Sequence, residues 1–259
     1  MAEPVYLGDD VYFVFVAVGG WGTDFARALS LKRVLDLIGM WVKIIFLTLA
    51  VPVLLVLIST RLLINDSYLS IEYHKADFPP DAYGFTLDDR LMYAPYALHY
   101  MLNDADIQYL GDLKFPDGKP FYNERELQHM ADVKRVTQAA YNVVFPVLLL
   151  LFAGAIVMLL SSADRRVTLR QGLFGGGLLT IALIALLAIG VLVNWDTFFT
   201  QFHELFFSNG SWQFYYSDSL IRLYPVRFWQ DAALTIGGLT IGGALILMAG
   251  SWLWARRVR

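Results

Sequence analysis

Two histidines and the polar groups near them carry the acid–base chemistry open to this chain. His129 and Asp132 lie three apart in Gln128-His129-Met130-Ala131-Asp132-Val133-Lys134, downstream of Asn123 and Glu126, which read as a capping pair opening a helix. That spacing puts both on one helical face. There a carboxylate can hold an imidazole in one tautomer and stabilise its cation. His203 is set among Phe198, Phe199, Phe202, Phe206 and Phe207, with Asn209, Trp212, Asp218 and Arg222 following. The helical spacing of Phe198, Phe199, Phe202 and Phe206 predicts a short helix whose aromatic face suits the headgroup boundary. Asn209, the Trp212 indole, Asp218 and Arg222 are candidate substrate-binding or oxyanion groups. Each histidine alone also reads blandly, His129 as a wet helix face and His203 as an aromatic-belt residue. Their convergence at the outer ends of different helices favours a shared site. His74 and His99 lack such surroundings and read as ordinary loop and helix-face residues.

Other chemistries find less support. There is no cysteine, so no disulfide, thiolate metal site or cysteine nucleophile. Gly210-Ser211 lacks a nucleophile-elbow context. Glu126-Leu127-Gln128-His129 has the Glu-x-x-His spacing of carboxylate metal bundles but occurs once, and no His-x-x-x-His pair is present, so no metal and no cofactor are expected. Acyl chemistry here would proceed by direct attack between substrate groups, with histidines moving protons.

The elements that must position these residues are membrane spans. Of 259 residues 57% are hydrophobic, and mean hydropathy is +0.52, too apolar for a soluble domain. A net charge of −3 argues against nucleic acid. Four apolar stretches exceed the ~20 residues needed to cross a bilayer. The fold class expected is an all-α membrane protein, four transmembrane helices with a small mixed extracytoplasmic cap. The organisation reads as an extension (1–35), helix one (36–64), an outer segment (65–138), helix two (139–161), a cytoplasmic loop (162–171), helix three (172–194), an outer interfacial loop (195–231), helix four (232–255) and a tail (256–259). Gly175-Gly176-Gly177, Gly237-Gly238 and Gly242-Gly243 favour close helix packing.

Orientation follows from basic flanks. Arg27, Lys32 and Arg33, then Arg165, Arg166 and Arg170, then Arg256, Arg257 and Arg259 fall on one side of an alternating bundle. That side should be cytoplasmic, with both termini; Lys134 and Arg135 are a minority opposite. All four histidines then lie outside. Within 65–138, Pro79-Pro80 predicts an extended stretch, Leu87–Leu102 an amphipathic helix interrupted at Pro95, and Tyr109–Phe121 a hairpin around Pro116-Asp117-Gly118. The helix from Asn123 should run straight into the second span.

At these residues the sequence resembles a known family. Residues 126–134 resemble its His-Met-x-Asp-Val-Lys signature. Phe202-His203-Glu204-Leu205-Phe206-Phe207-Ser208-Asn209, with Trp212, Asp218, Leu220, Ile221 and Pro225, resembles its second. The family is the bacterial lipoprotein intramolecular transacylase, and the likeness covers about residues 36–255. Where members often carry Asp-Pro after the tryptophan, this chain has Tyr215-Tyr216. The resemblance implies a bacterial cytoplasmic-membrane enzyme whose partners are a diacylated lipoprotein and membrane lipid. Its members move the acyl chain from the middle glycerol carbon of a diacylglyceryl-cysteine to that cysteine's α-amino group. It implies His129, steadied by Asp132, as base and His203 as oxyanion or leaving-group partner, or the reverse, with Lys134 among the substrate-binding groups. The alternative is a non-enzymatic scaffold, or a subunit ligating a tetrapyrrole through His203, in a larger membrane complex. Residues 1–35 would hold partners there.

Overall fold

A computed structural model describes residues 31–207 and 210–257. The extension through residue 30, with Arg27, and also Asn209 and Arg259, lie outside the described residues. The helices are α1 Leu31–Leu63, α2 Asp66–Tyr73, α3 Leu87–Leu102, α4 Gln108–Gly111, α5 Glu124–Gln138, α6 Phe145–Leu160, α7 Ala163–Val193, α8 Trp195–Phe206, α9 Ser219–Leu223 and α10 Val226–Arg257. A π-helical stretch, Ala139–Val144, joins α5 to α6 without a break.

Among the described residues four stretches are long and apolar enough to cross a membrane: Val34–Leu63, Glu124–Leu160, Arg165–Val193 and Val226–Arg256. Their apolar side chains face outward; Leu150 is 72% exposed and Leu192 79%. Such surface is stable only against lipid. The chain is an all-helical integral membrane protein, its bundle held by α1, α7 and α10. A Cβ on Gly176 would stand 2.6 Å from Val51, one on Gly172 2.7 Å from Leu47, and one on Gly177 2.6 Å from Met248. Glycine here removes the bulk that would separate the backbones, and packing is what joins helices in lipid. Two buried hydroxyls are satisfied inside the bundle, Thr180 Oγ1 donating to the Gly176 carbonyl one turn back at 2.7 Å and Thr240 Oγ1 to Ser59 Oγ across helices at 3.0 Å.

The two segments beyond the bundle fold together as one cap. Leu69, Tyr73, Ala94, Leu98, Phe121 and Met130 share a core with Leu220, Leu223, Tyr224 and Phe228. Polar ties cross the same boundary: Tyr73 Oη donates to the Leu223 carbonyl at 2.9 Å, and Tyr224 Oη to that of Ala94 at 2.6 Å.

Several local expectations are corrected. Pro95 does not interrupt α3; Thr86 and Asp89 form a full capping box, and buried Ala94, Ala97 and Leu98 hold the helix through the missing donor. The hairpin shrinks to a turn, with Gln108–Gly111 helical. Among the described residues β pairing there is a single bridge, Lys114 with Pro120, because proline cannot donate to a longer ladder. Gly118 takes φ 83° in that turn. The region expected as a loop at 162–171 is helical from Ala163, since Ser162 Oγ caps it by accepting from the Arg165 amide. Helix α10 starts at Val226, directly after Pro225, six residues before the run predicted from hydropathy.

Candidate active site

The cap's polar ties fix the start of α5, and α5 carries the first histidine. Asn123 Oδ1 accepts from the Glu126 amide at 3.0 Å while Glu126 Oε2 accepts from the Asn123 amide at 2.8 Å. Glu126 is 1% exposed, and its other oxygen accepts from the Leu220 amide at 2.6 Å. One carboxylate thus caps α5 and anchors α9. Asp218 reinforces the joint by accepting from Asn123 Nδ2, Arg125 Nη2 and the Tyr215 amide at 2.9–3.1 Å. Carboxylates saturated in this way set geometry.

His129 lies one turn below Glu126, buried. The amphipathic α8, capped by Asn194 Oδ1 accepting from the Thr197 amide at 3.0 Å, brings up His203. The two imidazoles are nearly parallel, 26° between planes and 6.1 Å between centroids. Phe207 and Phe214 meet the His129 ring edge-on at 5.1 and 5.3 Å. His203 lies 4.0 Å from Phe199 and 5.1 Å from Trp212. The sequence-based pairing of these two rings is thus realised, inside an aromatic collar.

Hydrogen bonding distinguishes the two histidines. His203 Nδ1 is 2.8 Å from the Phe199 carbonyl, which can only accept, so Nδ1 carries the proton and Nε2 presents its lone pair. Burial among the rings pushes the His203 pKa below the usual histidine value, keeping the imidazole neutral near pH 7. His129 Nδ1 is buried and has no hydrogen-bond partner among the described residues. A neutral acceptor beside an unsatisfied ring nitrogen, in dry surroundings, is an arrangement suited to moving a proton and meeting a developing charge.

The other sequence candidates divide. Asp132 does share a face with His129, yet its carboxylate is held by other groups. Oδ2 accepts from Ser211 Oγ at 3.0 Å, Oδ1 from Gln128 Nε2 at 3.1 Å, and Arg135 pairs with it. Its short side chain reaches the loop, so it seats Ser211 and hence Trp212 beside the histidines. Lys134 points into the cap, bonding Asn103 Oδ1 at 3.2 Å and the Ala105 carbonyl, with its ammonium 4.1 Å from the Tyr100 ring centroid. Five residues along the helix from His129, it looks another way. Arg222 pairs with Asp81 at 2.9 Å and stacks 3.5 Å over Phe85, clamping the segment after Pro79-Pro80. Asp218 serves the α5–α9 joint. Of the candidate binding groups among the described residues, Trp212 alone contacts a histidine ring. Sequence reasoning placed Phe207 in the aromatic run around His203 but gave no role to Phe214, and considered Ser211 only to reject it as a nucleophile. Among the described residues no three His, Asp or Glu side chains gather as a metal-ligand set.

Residues 45–229 match the family described as lipoprotein intramolecular transacylase Lit. A protein of Aquifex aeolicus (strain VF5), described as uncharacterized, is 32% identical over 196 residues, covering 74% of this chain and 86% of its own length. Among solved structures, the membrane integral lipoprotein intramolecular transacylase Lit from Bacillus cereus superposes with a TM-score of 0.70 at 21% identity, over 85% of this chain and 97% of that one. A histidine-to-alanine variant of the same protein gives 0.70 at 19% identity, over 88% and 99%. That likeness shows a common fold.

Proposed function

We propose that this chain, which belongs to the lipoprotein intramolecular transacylase family, moves the acyl chain on the middle glycerol carbon of a diacylglyceryl-cysteine onto that cysteine's own α-amino group. It is an integral membrane enzyme. The observation that carries the specific reaction is the parallel pair of histidines, 6.1 Å apart where spanning helix meets cap. A diacylated substrate holds its glycerol esters at that depth, so amine and ester can meet there without leaving the membrane.

In this reading His203 Nε2 takes a proton from the attacking amine, because its Nδ1–H is already given to the Phe199 carbonyl. A nitrogen–carbon bond forms at the ester carbonyl. The oxyanion faces a ring N–H of His129, with the Trp212 indole nearby as a second donor. The carbon–oxygen bond to glycerol then breaks, and His203 returns its proton to the departing oxygen. No proton is gained or lost overall. Nucleophile and ester share one molecule, so most of the catalytic advantage is in folding them together.

Arginine clustering supports an orientation in a bacterial inner membrane with cap and histidines outside and both termini cytoplasmic. In a chain without cysteine, single cysteines at positions 117 and 259 can be labelled in intact cells. An impermeant reagent should reach 117 and not 259; the opposite pattern overturns the orientation.

The chemical test is fragmentation mass spectrometry of a diacylated lipoprotein co-expressed with the full chain. The expected product has unchanged mass, an N-acylated cysteine and one glycerol ester. An unchanged N-terminus beside well-expressed enzyme overturns the reading.

A further inference from the structure

The bundle carries a second polar feature, at the end opposite the cap. Between α7 and α10 lies a cleft of about 200 Å³ lined by Arg170, Gln171, Phe174, Ser251, Trp252 and Ala255. Ser251 is 4% exposed, and its hydroxyl is buried with no hydrogen-bond partner among the described residues. A helical serine ordinarily donates back to a carbonyl one turn earlier, so this donor is left over. An orphaned buried hydroxyl costs about 1–3 kcal/mol unless something outside the chain meets it.

Among the described residues the charge lining the cleft is of one sign. Arg170 lines it half-buried, and the Arg256 guanidinium lies 3.6 Å over the Trp252 ring that forms its wall. Among the described residues neither arginine, nor Arg165 or Arg166, has a carboxylate within ion-pair reach. The cap shows the contrast, since Arg125, Arg135, Arg222 and Arg227 are each paired there. Guanidinium groups match phosphate oxygens in a bidentate fork. Below the arginine, Phe174 and Trp252 are 40% and 47% exposed on the surface that faces lipid. The cleft therefore offers cation and hydroxyl at its head and aromatic wall along its length.

We propose that this α7–α10 cleft binds one anionic phospholipid, its phosphodiester between Arg170 and Ser251 Oγ and its acyl chains along Phe174 and Trp252. Basic pockets between spanning helices are a recurrent way of holding such headgroups. The site lies at the opposite end of the spans from the histidine pair and is independent of the substrate and of the orientation argued above.

The test is native mass spectrometry of the detergent-solubilised full chain, titrated with phosphatidylglycerol or with phosphatidylcholine of the same chains. Wild type should retain one phosphatidylglycerol in about fivefold preference. Arg170→Gln should bring the two lipids close to parity. Ser251→Ala should lower retention of phosphatidylglycerol about twofold with no fall in melting temperature, which keeps the proposal testable should the arginine variant misfold. Arg165→Gln, on the same helix outside the cleft, should leave it unchanged. Equal retention of both lipids overturns the proposal, as does an equal loss in Arg165→Gln, which would mean undirected surface attraction. Displacement of the lipid by glycerol 3-phosphate at equal concentration would make the ligand a small soluble phosphate and overturn it too.

Discussion

The bundle and the cap are stabilised by different physics within one chain. In the bundle, Gly172, Gly176 and Gly177 let α7 lie against α1 and α10, and polar contacts are a few hydroxyl hydrogen bonds within and between helices. In the cap, stacked rings such as Tyr93 and Phe121, 4.2 Å apart, surround carboxylates and guanidinia that bind across elements. Lipid tails are as apolar as leucine, so spanning helices gain little from burial and must gain from fit. The cap meets water and can use both burial and charge. The histidine pair sits on the seam, His129 on a helix that crosses from one regime to the other and His203 on α8. That division predicts which substitutions remove activity and which remove the protein.

The largest effects should separate function from fold. His129→Ala and His203→Ala should each lower transacylation by about 10²–10⁴-fold, the range for losing a positioned proton-transfer group. Melting temperature should hardly change in His203→Ala, whose ring is only half-buried. Loss of folded protein in both would make the pair structural and erase the contrast.

Next, packing in the bundle can be overfilled. Gly176→Ala places a Cβ 2.6 Å from Val51, and the expected destabilisation is about 1–3 kcal/mol by denaturant titration in detergent. Gly238→Ala, with nothing within 4 Å, should be near neutral. Equal effects would mean that close approach is not what joins these helices.

A cap variant of similar size should act through a bond. Glu126→Gln turns an amide NH2 toward either the Leu220 or the Asn123 N–H, leaving donors opposed, at a cost of about 1–3 kcal/mol. Activity should fall with stability, because α9 and the loop before it lose their anchor on α5. Full activity in a destabilised protein would detach the joint from the site.

The smallest expected effect sharpens the comparison most. Ser211→Ala should cost only about 0.5–1.5 kcal/mol of stability yet lower activity several-fold, since Trp212 loses its tether to Asp132. Combined with Asp132→Asn it should be non-additive in kinetics. Additive losses would show that the two act separately.

Both histidines were legible in the sequence because each lies in a motif at the end of an apolar run, and the spans were legible from length and hydropathy alone. Their pairing was expected from their convergence at the outer ends of different helices, and the resemblance supplied the reaction. The roles of Lys134, Arg222 and Asp218 were not legible. A charged residue near a motif looks the same whether it faces substrate or a cap partner more than 100 residues away, as with Arg222 and Asp81. The Pro95 break failed for a related reason, since burial at Ala94 and Leu98 is tertiary information. Ser211 was invisible because its hydrogen-bond partner Asp132 lies 79 positions upstream.

The π-helical stretch at Ala139–Val144 has a consequence for how the seam is tuned. The Phe145 amide bonds the Ala140 carbonyl five residues back, one residue more than a regular turn holds, just before Pro146 withholds a donor. An extra residue in a turn rotates everything beyond it by about 100°. The stretch therefore works as a phase adjuster between two ends of a single rod. The cap end must aim His129 at α8, while the membrane end must aim Leu159 at Leu47 and Leu169, and no single helical phase need satisfy both. Deleting Val143 would leave a rod of regular pitch with one of those two ends misaimed.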